Sequence, residues 1–128
     1  FVQERRLSVM CPMYEAILTF TYGNERLALV ICNAHTFQNR LELHSAVTFE
    51  SLWTVPLDRL ARCCWMKNDE WIVVNYLEAE LLRISSDGQL LEEFKDTTAA
   101  ANPILNALQW DEDILVTATM NSLRLHKL

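Results

Sequence analysis

Glycine is scarce in this sequence: Gly23 and Gly88 are the only two among 128 residues, alongside three prolines and three histidines. A phosphate-cradling loop needs several backbone positions free of side chains, and this chain has no stretch that supplies them. There is no G-x-S-x-G elbow and no H-E-x-x-H pair. Nucleotide binding, serine hydrolysis and zinc proteolysis each lack their minimal parts, and no catalytic residue and no cofactor is assigned. Long apolar runs are missing as well. Leu27–Cys32 and Trp71–Val74 are interrupted within a few residues by Asn, His or Glu, far short of the roughly 20 residues a membrane helix requires. No membrane span is expected. Residues 1–7 include Glu4, Arg5 and Arg6 and lack the basic start and apolar stretch of a secretory signal. Position 1 is Phe rather than an initiator Met, and the chain reads as a piece of something longer.

Cysteine is present without metal-binding spacing. Cys11, Cys32, Cys63 and Cys64 form no C-x-x-C pair, so two thiolates are not placed on one zinc ion and no metal site is expected. Adjacent Cys63 and Cys64 should point to opposite faces of a strand. Buried, reduced thiols are the expectation, and they favour an intracellular compartment.

Charge is unevenly spread. Residues 1–62 hold six acids and six bases, whereas Asp69 to Asp113 hold eleven acids against Arg83 and Lys95, a local net of −9. Binding to a nucleic-acid backbone needs Lys and Arg to displace counterions, so direct nucleic-acid binding is not expected. A basic segment of a partner protein would be favoured instead. The carboxylate pairs Asp69–Glu70, Glu92–Glu93 and Asp111–Asp113 fall in predicted turns or on exposed strand positions and read as solvated charge. His44 and His126 close equivalent alternating segments, a solvent-facing position, and with His35 they are given no metal or catalytic role.

The positive content of the sequence is a repeat. Phe20, Trp65 and Trp110 stand 45 residues apart. Each is followed by a polar turn and then an aliphatic run: LALVIC from Leu27, WIVVNY from Trp71 and ILVTAT from Ile114. After a second short connection comes an alternating segment: RLELH from Arg40, LLRIS from Leu81 and LRLHKL from Leu123. A period of about 40–45 residues marks the four-stranded blades of β-propellers. The runs LALVIC, WIVVNY and ILVTAT are read as buried inner strands, apolar because a neighbouring sheet covers each face. The alternating segments are half-solvated third strands. A fourth, outer strand is placed at Val47–Val55 and at Gln89–Lys95, the latter after the hairpin signal Asp87-Gly88. The three aromatics of the period are expected to be equivalent and to pack between blades.

In these segments the chain resembles the WD-repeat type of β-propeller. The likeness is carried by LARCCW, MKNDE, WIVVNY, ELLRIS and SDGQLL within Leu60–Leu91, and by LNALQWDEDILVTATMNSLRLHKL from Leu105. It covers about residues 14–128 and implies an all-β fold of four-stranded antiparallel blades, with repeats at 14–58, 59–103 and 104–128 of a partial propeller spanning 1–128. The competing reading is an α+β domain. Leu57, Leu60, Ala61 and Cys64 have helical spacing, and EAELLRI and LLEEFK are rich in helix formers. The period favours blades.

About three blades do not close a propeller, which takes roughly 4–8. The remaining blades are expected from the same or another chain. The functional expectation is a non-enzymatic scaffold or adaptor that binds other proteins. The alternative is an architectural propeller subunit of a large assembly such as a coat, pore or tethering complex. An enzyme whose site lies on other blades is the third reading.

Overall fold

The structure, a computed structural model, describes residues 12–58, 61–75, 77–95 and 103–128. Cys11, Leu60, Tyr76 and Asp96, and the readings placed on residues 1–7, lie outside those residues. Among the described residues the chain is all-β, with no helix. Sheet 1 contains β1 (Glu15–Gly23), β2 (Arg26–Asn33), β3 (Asn39–Ser45) and β4 (Ser51–Leu57). Sheet 2 contains β5 (Ala61–Trp65), β6 (Trp71–Asn75), β7 (Glu80–Ile84) and β8 (Leu90–Lys95). Sheet 3 contains β9 (Asn106–Asp111), β10 (Ile114–Ala118) and β11 (Leu123–Lys127). Every pairing is antiparallel between strands consecutive in the chain.

The aliphatic runs are β2, β6 and β10, each flanked by a strand on both sides and largely buried. Each pairs with the third strand of its own sheet, as the pattern required. They are the second strands, however, and not the ones nearest the neighbouring sheets. The first strands meet across the sheets, β1 against β5 and β5 against β9. Close approach there explains the small residues of those strands: Ala61, Cys63 and Ala107 are buried at the crossing. The helical reading of EAELLRI and LLEEFK fails because alternation wins over propensity. Leu81 faces sheet 3 while Leu82 and Ile84 face sheet 1, a period of two.

Two cores fill the seams. Between sheets 1 and 2 lie Ala28, Val30, Leu41 and Leu43 against Cys63, Trp71, Val73 and Ile84, with Trp53, Val55, Trp65 and Leu82 at the margin. Between sheets 2 and 3 lie Met66, Ile72, Val74 and Leu81 against Ile104, Ala107 and Leu115. Cys63 faces the first core and Cys64 packs on the second, so the vicinal pair does straddle β5.

Turns are built with few glycines because side chains do the capping. Asn33 Oδ1 accepts the N–H groups of His35 and Thr36 at 2.9 and 3.1 Å, and Ser45 Oγ accepts those of Val47 and Thr48 at 3.2 and 3.1 Å. Phe37 and Phe49 then close the turns with φ of 55° and 64°, in the left-handed region that bulky residues rarely enter. The outer strand β4 consequently begins at Ser51 and not at Val47, which belongs to the turn. Asn24 and Glu25 form the β1–β2 turn with φ of 47° and 59°, the pattern of a two-residue hairpin turn with both central residues at positive φ. The amide of Asn24 donates to both carboxylate oxygens of Asp69 at 2.7 and 2.8 Å, tying together the corresponding turns of sheets 1 and 2.

The two glycines answer to neighbouring tryptophans. A Cβ on Gly23 would sit 2.1 Å from Trp65 Cγ, so glycine is required by close approach. Gly88 has φ of 86° in the Ser85–Gly88 turn and lies beneath the ring of Trp53. The indole N–H of Trp53 donates to the Ser86 carbonyl at 2.8 Å, pinning β4 onto sheet 2.

Candidate interaction surfaces

Strand alternation defines the two outer faces of the three-sheet stack. On sheet 1, Ala28 and Val30 face sheet 2, so Leu27, Leu29 and Ile31 point the other way. Opposite Leu27 and Leu29 on β1 stand Tyr22 and Phe20, both exposed. Opposite the same run on β3 stand His44, Glu42 and Arg40. Arg40 donates from Nη1 and Nη2 to the two oxygens of Glu15 at 2.7 Å each, and from Nε to Glu42 at 2.6 Å. His44 sits between Glu42, at 2.9 Å, and the Phe49 carbonyl, at 3.3 Å. It is therefore not the solvent-facing strand residue that alternation implied. The hydrogen bonds from Arg40 hold the Glu15 carboxyl below its ordinary range, and the same carboxylate raises Arg40. At Glu42 burial works in the opposite direction, but the bonds from Arg40 and His44 prevail and its pKa is lowered.

On sheet 3, Leu115 faces sheet 2, so Val116 and Ala118 face outward with Leu108, Leu123 and Leu125 as their ladder partners. Those three leucines are exposed. The expected equivalence of the three period aromatics does not hold in burial. Trp65 packs against the first core, whereas Phe20 is 69% and Trp110 70% exposed. Phe20 occupies the face corresponding to that of Trp65, but no sheet lies over that face among the described residues. Trp110 is displaced by a bulge at Ile114/Leu115 that sets Gln109, rather than Trp110, opposite Leu115. The constant interval of 45 concealed unequal turns, short after β1 and β9 and five residues long at Met66–Glu70.

Each seam also carries a groove on its outer side. The groove between sheets 2 and 3, about 230 Å³, is lined by Arg83, Glu92, Phe94, His126, Lys127 and Leu128 among others. Its charges are mixed: Arg83 pairs with Glu70, which raises the Arg83 pKa, and lies 3.7 Å from Glu92. His126 Nε2 is 2.7 Å from the hydroxyl of buried Thr117, and its ring meets Phe94 edge-on. The groove between sheets 1 and 2, about 220 Å³, runs between β4 and the β7–β8 half of sheet 2. Its floor is aliphatic, its charged lining residues are Asp58, Glu80 and Glu93, and Asn75 lies among them. Of the carboxylate pairs picked out along the chain, Glu93 lines this groove and its neighbour Glu92 the other. Asp69 is spent on Asn24 and Glu70 on Arg83. Glu80 and Asn75 were missed because an Asn closing an apolar strand carries no local signal of what it faces.

Burial holds the Cys63 thiol well above its ordinary range and pushes Cys64 up to about 12, so both are protonated and unreactive near neutrality. Among the described residues no three His, Cys, Asp or Glu side chains are grouped to hold a metal ion, and no helix is long and apolar enough to cross a membrane.

No protein-family profile matches the chain, and no curated protein does. Among solved structures it is similar to the crystal structure of Kluyvelomyces marxianus Hsv2, a β-propeller protein, with a TM-score of 0.56 at 9% identity. The likeness covers 80% of this chain and 31% of the Hsv2 chain. It agrees with the sheet topology: the chain has an all-β, propeller-like fold of three antiparallel sheets and spans about a third of that structure's length.

Proposed function

We propose that this chain contributes blades to a non-enzymatic propeller scaffold that binds other proteins inside the cell. The observation that carries this reading is the pair of outer sheet faces, with Phe20 and Tyr22 exposed on one and Leu108, Leu123 and Leu125 on the other. Apolar side chains grouped on a soluble surface normally mark an interface. The first occupants of these faces are further propeller sheets, consistent with the 31% share of Hsv2 that the chain covers. Client proteins then engage the seams and rims of the completed stack. Free Cys32, Cys63 and Cys64 suit a reducing compartment, and the excess of acid suits protein rather than nucleic-acid partners.

The test is cross-linking of the full-length protein in cells, wild type against Tyr22→Glu and Leu125→Glu. The scaffold reading expects a defined set of cross-linked proteins, reduced when either face is charged. A protein that cross-links to nothing and whose variants keep the same hydrodynamic size overturns it. The architectural alternative is favoured by the same exposed faces, and differs in expecting cross-links only to constant members of one assembly.

A further inference from the structure

We infer that the groove between sheets 1 and 2 is a socket for a lysine or arginine side chain of a partner protein. The inference rests on the protein-binding reading and names the chemistry of one contact. Its floor is made by Val55 on one side and Leu82, Ile84 and Leu90 on the other. Its charged groups are Asp58 at the end of β4, Glu80 at the start of β7 and Glu93 on β8. Neither Asp58 nor Glu93 has an ion pair among the described residues. On the same face Lys95 is the ladder partner of Glu80, and its ammonium is engaged with Glu78 at 3.3 Å.

Asn75 adds an independent sign of a missing ligand. It is 6% exposed, its Nδ2 donates to Glu80 Oε2 at 3.1 Å, and its Oδ1 has no hydrogen-bond partner. A buried acceptor left unsatisfied costs about 1–3 kcal/mol, so a donor is wanted beside it. The unpartnered buried atom is thus an acceptor, the charged residues lining the groove are all carboxylates, and the rest of the lining is apolar. An anion is excluded by three carboxylates. A bare metal ion is disfavoured because the carboxylates are not grouped to ligate one. Lys and Arg alone bring donors on a methylene stem, which covers apolar surface while the charged head stays at the polar end. The mixed groove between sheets 2 and 3, which contains Arg83 and Lys127, has no such preference.

The experiment titrates the purified full-length protein with fluorescent Gly-Ser peptides carrying Lys or Arg between two leucines. Matched peptides with N-ε-acetyl-lysine or norleucine serve as controls. Binding of the cationic peptides, weakened about tenfold or more by acetylation and by Glu93→Gln or Asp58→Asn, is the expected result. Both substitutions are at exposed positions, and an unchanged thermal midpoint separates lost contacts from lost fold. Binding that ignores acetylation and both substitutions overturns the socket and leaves the scaffold reading standing. Absence of binding by any cationic peptide also overturns it, while the cross-linking experiment decides the broader reading separately.

Discussion

The seam between sheets 1 and 2 and the seam between sheets 2 and 3 are made from the same central sheet, yet they are closed to different degrees. In the first, β4 runs the length of the outer side. It brings Trp53, Val55 and Leu57 over Leu82 and Ile84, and the Trp53 indole is bonded to the Ser86 carbonyl. In the second, β11 is the last strand of a three-stranded sheet, and among the described residues no fourth strand lies beside it. Phe94 and Leu128 stay exposed there, bordering the mixed groove. The fourth strand contributes little to the centre of a seam and much to its outer closure. Burial of the largest side chains follows: Trp71 is enclosed in the first seam, while the second is filled by Met66, Ile72 and Ile104.

The largest expected break is in the first seam. Trp71→Ala should lower unfolding free energy by about 3–5 kcal/mol, read by urea denaturation of the full-length protein. Trp71→Phe should lose clearly less, because the Trp71 indole N–H has no partner and its removal relieves an unsatisfied donor. Equal losses would show that the donor is satisfied in solution. In the second seam, Leu115→Ala should cost about 2 kcal/mol, the low end for such a truncation, since the adjoining groove lets neighbours relax. A loss as large as that of Trp71→Ala would mean the two seams are equally tight.

Smaller effects sharpen the contrast. Gly23→Ala should destabilise by about 1–3 kcal/mol, since the new Cβ meets the Trp65 ring. The double variant Gly23→Ala, Trp65→Leu should recover part of that loss, and a purely additive result would refute the close-approach account. Alkaline pH acts on the strand shared by both seams. Folded Cys64 keeps its proton to about 12, against an ordinary value of 9.0. Across that window the unfolded chain releases a proton that the folded chain retains, so stability falls as pH rises, by at most about 1.4 kcal/mol per pH unit from this thiol. Cys64→Ala should lessen the slope in urea midpoints measured across the alkaline range, leaving the part contributed by Cys63, which burial raises as well.

The strands were legible in the sequence because burial from both faces and alternation both follow from a side-chain period of two. LALVIC and WIVVNY announce central strands, RLELH announces a half-buried one, and Asp87-Gly88 announces its hairpin. The equivalence of the aromatics was not legible. A single bulge leaves Trp110 unpaired and sets Gln109 opposite Leu115 in its place, and bulges depend on the partner strand. The turns at Phe37 and Phe49 were equally hidden, since Asn33 and Ser45 stabilise positive φ by hydrogen bonds that composition does not announce.

The acidic bias and the absence of catalytic motifs could be read before any coordinates, and they direct attention to protein partners. The socket could not. Asp58, Asn75, Glu80 and Glu93 come from three different strands and the end of a fourth, and only the docking of β4 on sheet 2 turns them into one groove. By itself the sequence determined the all-β class, the repeat and the apolar faces, because these are local consequences of side-chain alternation and turn chemistry. Only the tertiary structure decided which faces are covered, that the first strands meet at the sheet crossings, and that the Trp53 indole of β4 is bonded to the Ser86 carbonyl of sheet 2. Those outcomes depend on which sheet lies against which, a long-range property that no local window of residues encodes.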